Sequence, residues 1–152
     1  MSSIKFSHTN LVTPNWKRLS RFYIDVFGCV PSGPIRQLSG CSVADGTGVA
    51  EPQIEGLHLR LPGFGDQGPT LEIFQYKRNV RQPLKHANTR GITHLAFEVA
   101  DLDSVCADII RYGGKMLGRL AKLPVDGVGV CTFVYVRDPD MNIIEIQSWE
   151  EG

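Results

Sequence analysis

Two segments of the chain space their apolar residues three or four positions apart, which is typical of an amphipathic helix. In the first segment, we expect Thr13 to be the N-cap, Pro14 to be the first helical residue and Gly28 to end the helix. The apolar residues between them lie on one helical face: Trp16, Leu19, Phe22, Tyr23, Val26 and Phe27. The second helix is predicted to begin after an N-cap at Asp101 and to end at residues 113–114, which are both glycine.

Most of the remaining chain concentrates β-branched, aromatic and aliphatic residues, a composition that predicts strands. The predicted strands are residues 4–12, 57–61, 70–76, 92–99, 128–137 and 142–149. Residues 31–56 and 62–69 are rich in Gly, Pro and Ser, so we expect loops there, with one weak strand near residues 35–39. Residues 115–127 are expected to form a short strand followed by a loop.

This pattern of elements occurs twice along the chain. His8 opens a strand in the first copy and His94 opens one in the second, and a capped helix and its terminal glycine follow at the same spacing in both. Each copy closes on a strand with a Leu/Ile-Glu-Ile core, which contains Glu72 in the first copy and Glu145 in the second. Such internal similarity indicates two modules of one design.

The repeat predicts an α+β fold made of two βαβββ modules joined by a connector near residues 77–90. Module 1 is expected at about residues 1–80 and module 2 at about residues 90–152, within a single domain of residues 1–152. The length is sufficient to bury a core. The open edges of the two sheets need covering, so we expect a homodimer.

The net charge and the hydropathy of the chain argue against some classes of binding partner. The 16 basic and 16 acidic residues cancel, whereas a protein that follows nucleic-acid phosphates usually has a basic excess. No apolar run approaches the roughly 20 residues of a membrane helix, and residues 1–5 do not resemble a signal peptide. We therefore expect a cytoplasmic protein with a small-molecule substrate and with neither a nucleic-acid nor a membrane partner.

Strand alternation places Glu72, His94 and Glu145 on the sheet faces opposite the helices, because their aliphatic neighbours must face the helices. His8 holds the position equivalent to His94 in the repeat. Imidazole and carboxylate groups suit a divalent ion of Zn, Ni, Co, Mn or Fe. The sequence thus predicts that His8, Glu72, His94 and Glu145 bind a metal. A metal with a nearby carboxylate can polarise a carbonyl and move a proton beside it.

Other polar and aromatic residues carry weaker expectations. His58 and His86 lie outside the repeat and are expected to be ordinary surface residues. Tyr76 and Trp149 share the metal-ligand faces, so they are expected either to contact substrate or to fill the interior. The connector, residues 77–90, is basic and contains no acid; a solvated linker is the more ordinary interpretation, and steering of an anionic substrate is the alternative.

Four sequence features resemble the vicinal oxygen chelate superfamily: the strand opening at His8 and the segments at residues 22–28, 91–99 and 137–145. That group includes glyoxalase I, methylmalonyl-CoA epimerase, extradiol dioxygenases, fosfomycin-resistance transferases and bleomycin-binding proteins. The resemblance covers essentially the whole chain and implies that the two module sheets pair into a partly open mixed β-sheet barrel. Met141 departs from the pattern, because a glycine is usual there, and it is expected to alter the turn without touching a ligand.

The family's four metal-ligand positions fall on His8, Glu72, His94 and Glu145. In this resemblance, extradiol dioxygenases lack a metal ligand at the position of Glu72. Glyoxalase I has a ligand at all four positions, and the ligand set of the epimerase is close to that of glyoxalase I. The resemblance therefore implies a metal-dependent lyase or isomerase that transfers a proton next to a carbonyl. Its substrate would be a small thioester or thiol conjugate, with a coenzyme A ester or glutathione as part of it.

Within that reaction Glu145 is the expected catalytic base and Glu72 is the second candidate. Two alternatives stay open, namely a ferrous extradiol dioxygenase and a non-catalytic protein that binds small molecules such as drugs. Drug-binding members of the superfamily commonly lack the ligand set, so retention of all four residues argues against the second alternative.

Overall fold

The computed structural model describes residues 3–151 and divides the chain into two compact units. Unit 1 is Met1–Arg81 and unit 2 is Gln82–Gly152. Each unit contains one mixed β-sheet with helices, which confirms the α+β class and the two-module plan. Within the described residues, no helix is long and apolar enough to cross a membrane.

Unit 1 contains a four-stranded sheet. Its elements are β1 (His8–Val12), α1 (Trp16–Phe27), β2 (Val30–Ser39), α2 (Cys41–Thr47), β3 (Gln53–Arg60), a 3-10 turn (Gly65–Gln67) and β4 (Thr70–Tyr76). The strand order is β1-β4-β3-β2, with β1 parallel to β4 and the other neighbours antiparallel. The first and last strands of the unit are therefore adjacent.

Unit 2 repeats this topology with one additional strand. Its elements are β5 (His94–Glu98), α3 (Leu102–Arg111), β6 (Lys115–Met116), β7 (Ala121–Val125), β8 (Gly129–Arg137) and β9 (Ile143–Glu151). The strand order is β5-β9-β8-β6, β7 also pairs with β8, and β5 is parallel to β9. The repeat seen in the sequence is thus present in the backbone.

One face of each sheet is buried beneath a helix. In unit 1 the apolar residues of α1 pack against the sheet, and the buried set includes Leu19, Phe22, Tyr23, Leu59, Leu71 and Ile73. In unit 2 the corresponding buried set includes Ile109, Val134, Val136, Ile144 and Ile146. Because side chains alternate along a strand, Glu72 and Glu145 lie on the faces opposite these cores.

The predicted N-cap of α1 is wrong by two residues. The cap is Asn15, whose side chain accepts a hydrogen bond from the backbone N–H of Arg18 at 3.0 Å. Thr13 continues the extended chain beside β4, since its backbone N–H donates to the carbonyl of Phe74 at 2.9 Å, and its Oγ1 accepts from the backbone N–H of the cap residue Asn15 at 3.0 Å. The other predicted cap, Asp101, is confirmed.

The expectation of loops at residues 31–56 is wrong for most of this segment, whereas the weak strand expected near residues 35–39 is confirmed as part of β2. Strand β2 and helix α2 occupy much of this segment, and β3 begins at Gln53. The pairing of β2 with β3 shifts register between Ser32 and Arg36, and Pro34 lies within that irregularity. Since β2 ends the strand order of its sheet, proline and a bulge are tolerated there, and the sequence pattern of a regular strand is lost. In the same way, residues 115–127 contain two strands, β6 and β7, instead of one.

The turn before β9 keeps a left-handed residue although it lacks the usual glycine. Met141 has a φ of 72°, a conformation that is uncommon for residues with a side chain. The carboxylate of Asp138 holds the turn, since its Oδ1 accepts from the backbone N–H groups of Asp140 and Asn142, each at 2.9 Å. Hydrogen bonding by one side chain thus maintains the geometry that glycine would adopt freely.

Candidate metal centre

Three adjacent strands of unit 1 bring two histidines to one glutamate. His58 of β3 lies directly opposite Glu72 of β4, and His8 begins β1 on the other side of β4. Nε2 of His58 is 2.8 Å from Oε2 of Glu72, and Nε2 of His8 is 3.6 Å from Oε1. Asn10 of β1 donates through Nδ2 to the same Oε1 at 2.8 Å. The carboxylate is therefore held from both neighbouring strands.

The environment of His58 favours its neutral form. The exposed fraction of its side chain is 17% and that of Glu72 is 14%. Burial lowers the pKa of His58, Arg36 and His8 lower it further, and the charge of Glu72 acts in the opposite direction. The neutral imidazole is the form that binds metal ions.

The second ring nitrogen of each unit 1 histidine faces a hydroxyl group. Nδ1 of His58 is 2.8 Å from Oγ1 of Thr70, and Nδ1 of His8 is 3.1 Å from Oγ of Ser7. Partners at Nδ1 fix the orientation of a ring whose Nε2 is directed at a metal. Both rings therefore direct Nε2 at Glu72.

Unit 2 contains one histidine–glutamate pair in the equivalent place. Nε2 of His94 on β5 is 3.1 Å from Oε2 of Glu145 on β9, and Nδ1 of His94 is 3.3 Å from Oγ1 of Thr93. On the adjacent β8, Tyr135 lies directly opposite Glu145, and its ring centroid is 4.9 Å from that of His94. Burial and the charge of Glu145 raise the pKa of Tyr135, so its phenol stays protonated at neutral pH.

The structure brings the residues expected from the sequence together in pairs. His8 meets Glu72 in unit 1, and His94 meets Glu145 in unit 2. Binding of a metal by all four, and the roles of Glu145 and Glu72 in catalysis, remain predictions.

The aromatic residues expected near the substrate have different surroundings. Tyr76 lines a cavity of about 180 Å³ that Glu51, Lys77 and Arg78 also line. Trp149 lies on β9 opposite the buried Cys131 of β8. Contact of either residue with a substrate remains a prediction.

The expectation for His58 as an ordinary surface residue is wrong, because its side chain is largely buried and contacts Glu72. One signal was available: His58 alternates with Leu57 and Leu59, so it had to lie on the same sheet face as Glu72. The register that puts the two side chains opposite each other was not available. His86 is exposed, as expected, and its backbone N–H donates to Thr89.

The donor atoms of unit 1 fit a divalent metal ion. The candidate ligand atoms of His8, His58 and Glu72 all lie within 4.8 Å of one another. Two imidazoles and one carboxylate suit ions such as Zn, Co, Mn or Fe. The chemistry of this set therefore agrees with a resident metal.

Sequence comparison identifies the family. The model of the Glyoxalase/Bleomycin resistance protein/Dioxygenase superfamily matches residues 5–146. The chain belongs to this superfamily. The resemblance inferred from the sequence motifs is thereby confirmed.

Individual relatives cover nearly the whole chain. Mitochondrial methylmalonyl-CoA epimerase of Dictyostelium discoideum is 26% identical over 147 residues, which are 97% of this chain and 78% of the relative. Among solved structures, a glyoxalase family protein from Bacillus cereus matches with a TM-score of 0.82 and 14% identity, over 98% of this chain and 96% of that one.

Another solved structure that matches this chain is a metal complex. It is a mutant of a fosfomycin resistance protein from Listeria monocytogenes, complexed with Mn(II) and 1S,2S-dihydroxypropylphosphonic acid. It matches with a TM-score of 0.55 and 16% identity, over 96% of this chain and 92% of that one. At such identities both structural matches show the fold alone.

Proposed function

We propose that this member of the superfamily is a metal-dependent isomerase or lyase of the epimerase type, which moves a proton next to the carbonyl of a small thioester or thiol conjugate. The observation that carries the proposal is the repeated pair of His8 with Glu72 and His94 with Glu145. Similarity to a methylmalonyl-CoA epimerase along 97% of the chain supports this class and makes a coenzyme A thioester the first substrate to test. A glutathione conjugate is the second.

The proposed metal ligands are His8, Glu72, His94 and Glu145. Two carboxylates offset the charge of a divalent ion, and imidazole nitrogens accept Zn, Ni, Co, Mn or Fe. When bound, such an ion would stabilise negative charge on a carbonyl oxygen of the substrate. Manganese is a reasonable first ion to test, since the Listeria neighbour is complexed with Mn(II).

Glu145 is the proposed base. Glu72 accepts from Asn10 and contacts both His8 and His58, whereas the contact of Glu145 with His94 is a single 3.1 Å approach. Fewer contacts hold Glu145 in place, so its carboxylate is freer to approach a substrate, and Glu72 is the second candidate.

In the proposed step the C–H bond next to the carbonyl breaks and its proton moves to a carboxylate oxygen of Glu145. The electron pair of that bond shifts toward the carbonyl oxygen. Return of a proton from a water molecule to the opposite face of the carbon gives the epimer. The hydroxide left behind takes up the proton held by Glu145, so atoms and charge balance without an oxidant or reductant.

Three further features belong to the proposal. Tyr76 and Trp149 contact the substrate, the protein is a homodimer, and it acts in the cytoplasm. Light scattering of the purified protein tests the dimer. Substitution of either aromatic residue by leucine should raise KM more than it lowers kcat if the ring contacts substrate.

For the test, the protein is first stripped of metal and reloaded with Mn, Co or Zn. NMR then measures the rate at which the α-proton of methylmalonyl-CoA exchanges in D2O. We expect exchange that depends on the added metal and that slows by about 100- to 10,000-fold in Glu145→Gln, the usual range for loss of a general base. Glu150→Gln is the matched control, because Glu150 lies on the same strand, is exposed and pairs with Lys122.

Other outcomes contradict the proposal. Absence of exchange with both coenzyme A thioesters and glutathione conjugates, under every metal, would exclude it. Oxygen uptake with a catechol and ferrous iron would favour the dioxygenase. Ligand binding that is unchanged by metal removal and by Glu145→Gln would favour a binding protein.

A further inference from the structure

We propose that His58 is itself a metal ligand, so that unit 1 supplies a set of two histidines and one carboxylate: His8, His58 and Glu72. This inference rests on the metal centre of the proposed function and adds to its four ligands one that the repeat does not contain.

The interatomic distances in unit 1 agree with shared coordination. With metal–ligand bonds of about 2.0–2.2 Å, two ligands of one ion stand roughly 3–3.5 Å apart. The Nε2–Oε separations of 2.8 Å for His58 and 3.6 Å for His8 bracket that range. The two rings meet edge to face with centroids 5.4 Å apart, so both reach the same carboxylate without stacking over each other.

His58 shares its surroundings with the two histidines already proposed as ligands. In His8, His58 and His94 alike, Nε2 faces a glutamate carboxylate and Nδ1 faces a serine or threonine hydroxyl. When that hydroxyl accepts the Nδ1 proton, Nε2 presents a lone pair, which is the arrangement of a metal-ligating histidine. His58 has the shortest distances of the three at both nitrogens.

The two units differ at the position of His58. At its equivalent position unit 2 has Tyr135, and at the position equivalent to Thr70 it has Ile143. The imidazole and the hydroxyl that orients it are thus both present in unit 1 and both replaced in unit 2. A paired difference of this kind indicates that His58 and Thr70 act together.

The test measures zinc binding to the full chain by calorimetry and counts imidazole ligands by X-ray absorption of the zinc-loaded protein. We expect His58→Ala to weaken zinc affinity by more than about 100-fold and to lower the imidazole count by one. Thr70→Val should weaken affinity by about 10-fold, the smaller effect typical of a residue that orients a ligand. His86→Ala, at an exposed histidine, is the control and should change neither quantity.

His58→Gln separates coordination from positioning. The glutamine amide can still donate an N–H to Glu72, so a positioning role predicts nearly normal affinity and an unchanged imidazole count. Coordination predicts that glutamine fails to rescue either quantity. An unchanged count in His58→Ala or in His58→Gln would overturn the assignment.

The outcomes also distinguish this inference from the proposed function. If the imidazole count falls in His58→Ala but no substrate exchanges its proton, His58 is a ligand and the proposed function is wrong. If exchange occurs and the count does not fall, only the assignment of His58 is wrong. A wild-type protein that binds no divalent ion would contradict both.

Discussion

In unit 1 the strand beside Glu72 presents His58, whereas in unit 2 the equivalent strand presents Tyr135 opposite Glu145. Asn10 on the other side of Glu72 is likewise replaced, since Ala96 aligns with Glu145. The two sheets share strand order and direction. The units therefore differ in the polar side chains that surround an equivalent glutamate.

The opposite faces of the same strands are similar. Leu71 and Ile73 flank Glu72, Ile144 and Ile146 flank Glu145, and all four aliphatic side chains are fully buried. Packing against a helix constrains volume and shape at these positions. The helix-covered faces of the two units are therefore alike, whereas the glutamate-bearing faces carry different polar side chains.

The largest expected difference between the units is catalytic. Glu72→Gln should slow proton exchange by about 10-fold, through weaker metal binding, whereas Glu145→Gln should slow it by about 100- to 10,000-fold because the base is lost. NMR exchange rates, compared at one fixed concentration of added metal, measure both. A larger loss in Glu72→Gln would exchange the roles of the two glutamates.

The second prediction tests the shared cores. Ile73→Ala and Ile146→Ala should each lower the free energy of unfolding by about 2–5 kcal/mol, because each leaves a cavity in a buried layer. Urea unfolding can be followed by the fluorescence of Trp16 in unit 1 and of Trp149 in unit 2, in variants that retain one of the two.

Ile35→Ala is the control for these core variants, since Ile35 is mostly exposed and surface changes usually stay within about 0.5 kcal/mol. A loss in only one of the two core variants would show that the cores are not equivalent.

The third prediction makes unit 2 resemble unit 1. Tyr135→His combined with Ile143→Thr should raise zinc affinity by about 10-fold, because it adds an imidazole and its orienting hydroxyl beside Glu145. Calorimetry measures the change. Tyr135→Phe is the matched control, which removes the phenol without adding a ligand and should give no gain. Equal affinities in the double variant and in Tyr135→Phe would show that the pair cannot be transferred.

The smallest effect concerns the helix caps, which both units have. Asn15→Ala and Asp101→Ala should each cost about 1 kcal/mol, since each removes a side-chain acceptor for a backbone N–H at the first turn. Urea midpoints give the values, and Asn15→Asp and Asp101→Asn, which keep an acceptor, should stay near wild type. A negligible cost in either alanine variant would mean that tertiary packing alone holds that helix.

Much of the fold could be predicted from local sequence. The spacing of apolar residues located α1 and α3, and β4 was predicted with its observed bounds, Thr70–Tyr76. Within the segment that forms β2, only a weak strand near residues 35–39 was expected, because the edge position allows proline and a register shift and the segment lacks the alternation of a regular strand. Its strand conformation depends on pairing with β3.

The candidate site, like the fold, could be predicted only in part. The sequence repeat identified four residues, because His8 and Glu72 in the first copy have equivalents, His94 and Glu145, in the second. That criterion excluded His58, since unit 2 has Tyr135 in its place. A residue that distinguishes two halves cannot be found by what the halves share.

The sequence by itself determined the α+β class, the two modules and the sheet faces on which His8, Glu72, His94 and Glu145 lie. These properties follow from local rules, the helical period and the alternation of side chains along a strand. Only the tertiary structure decided that His58 lies opposite Glu72 and that Thr70 orients it. Register between strands is set by the packing of side chains distant in sequence and by the geometry of the connecting turn, and the composition of a long loop specifies neither.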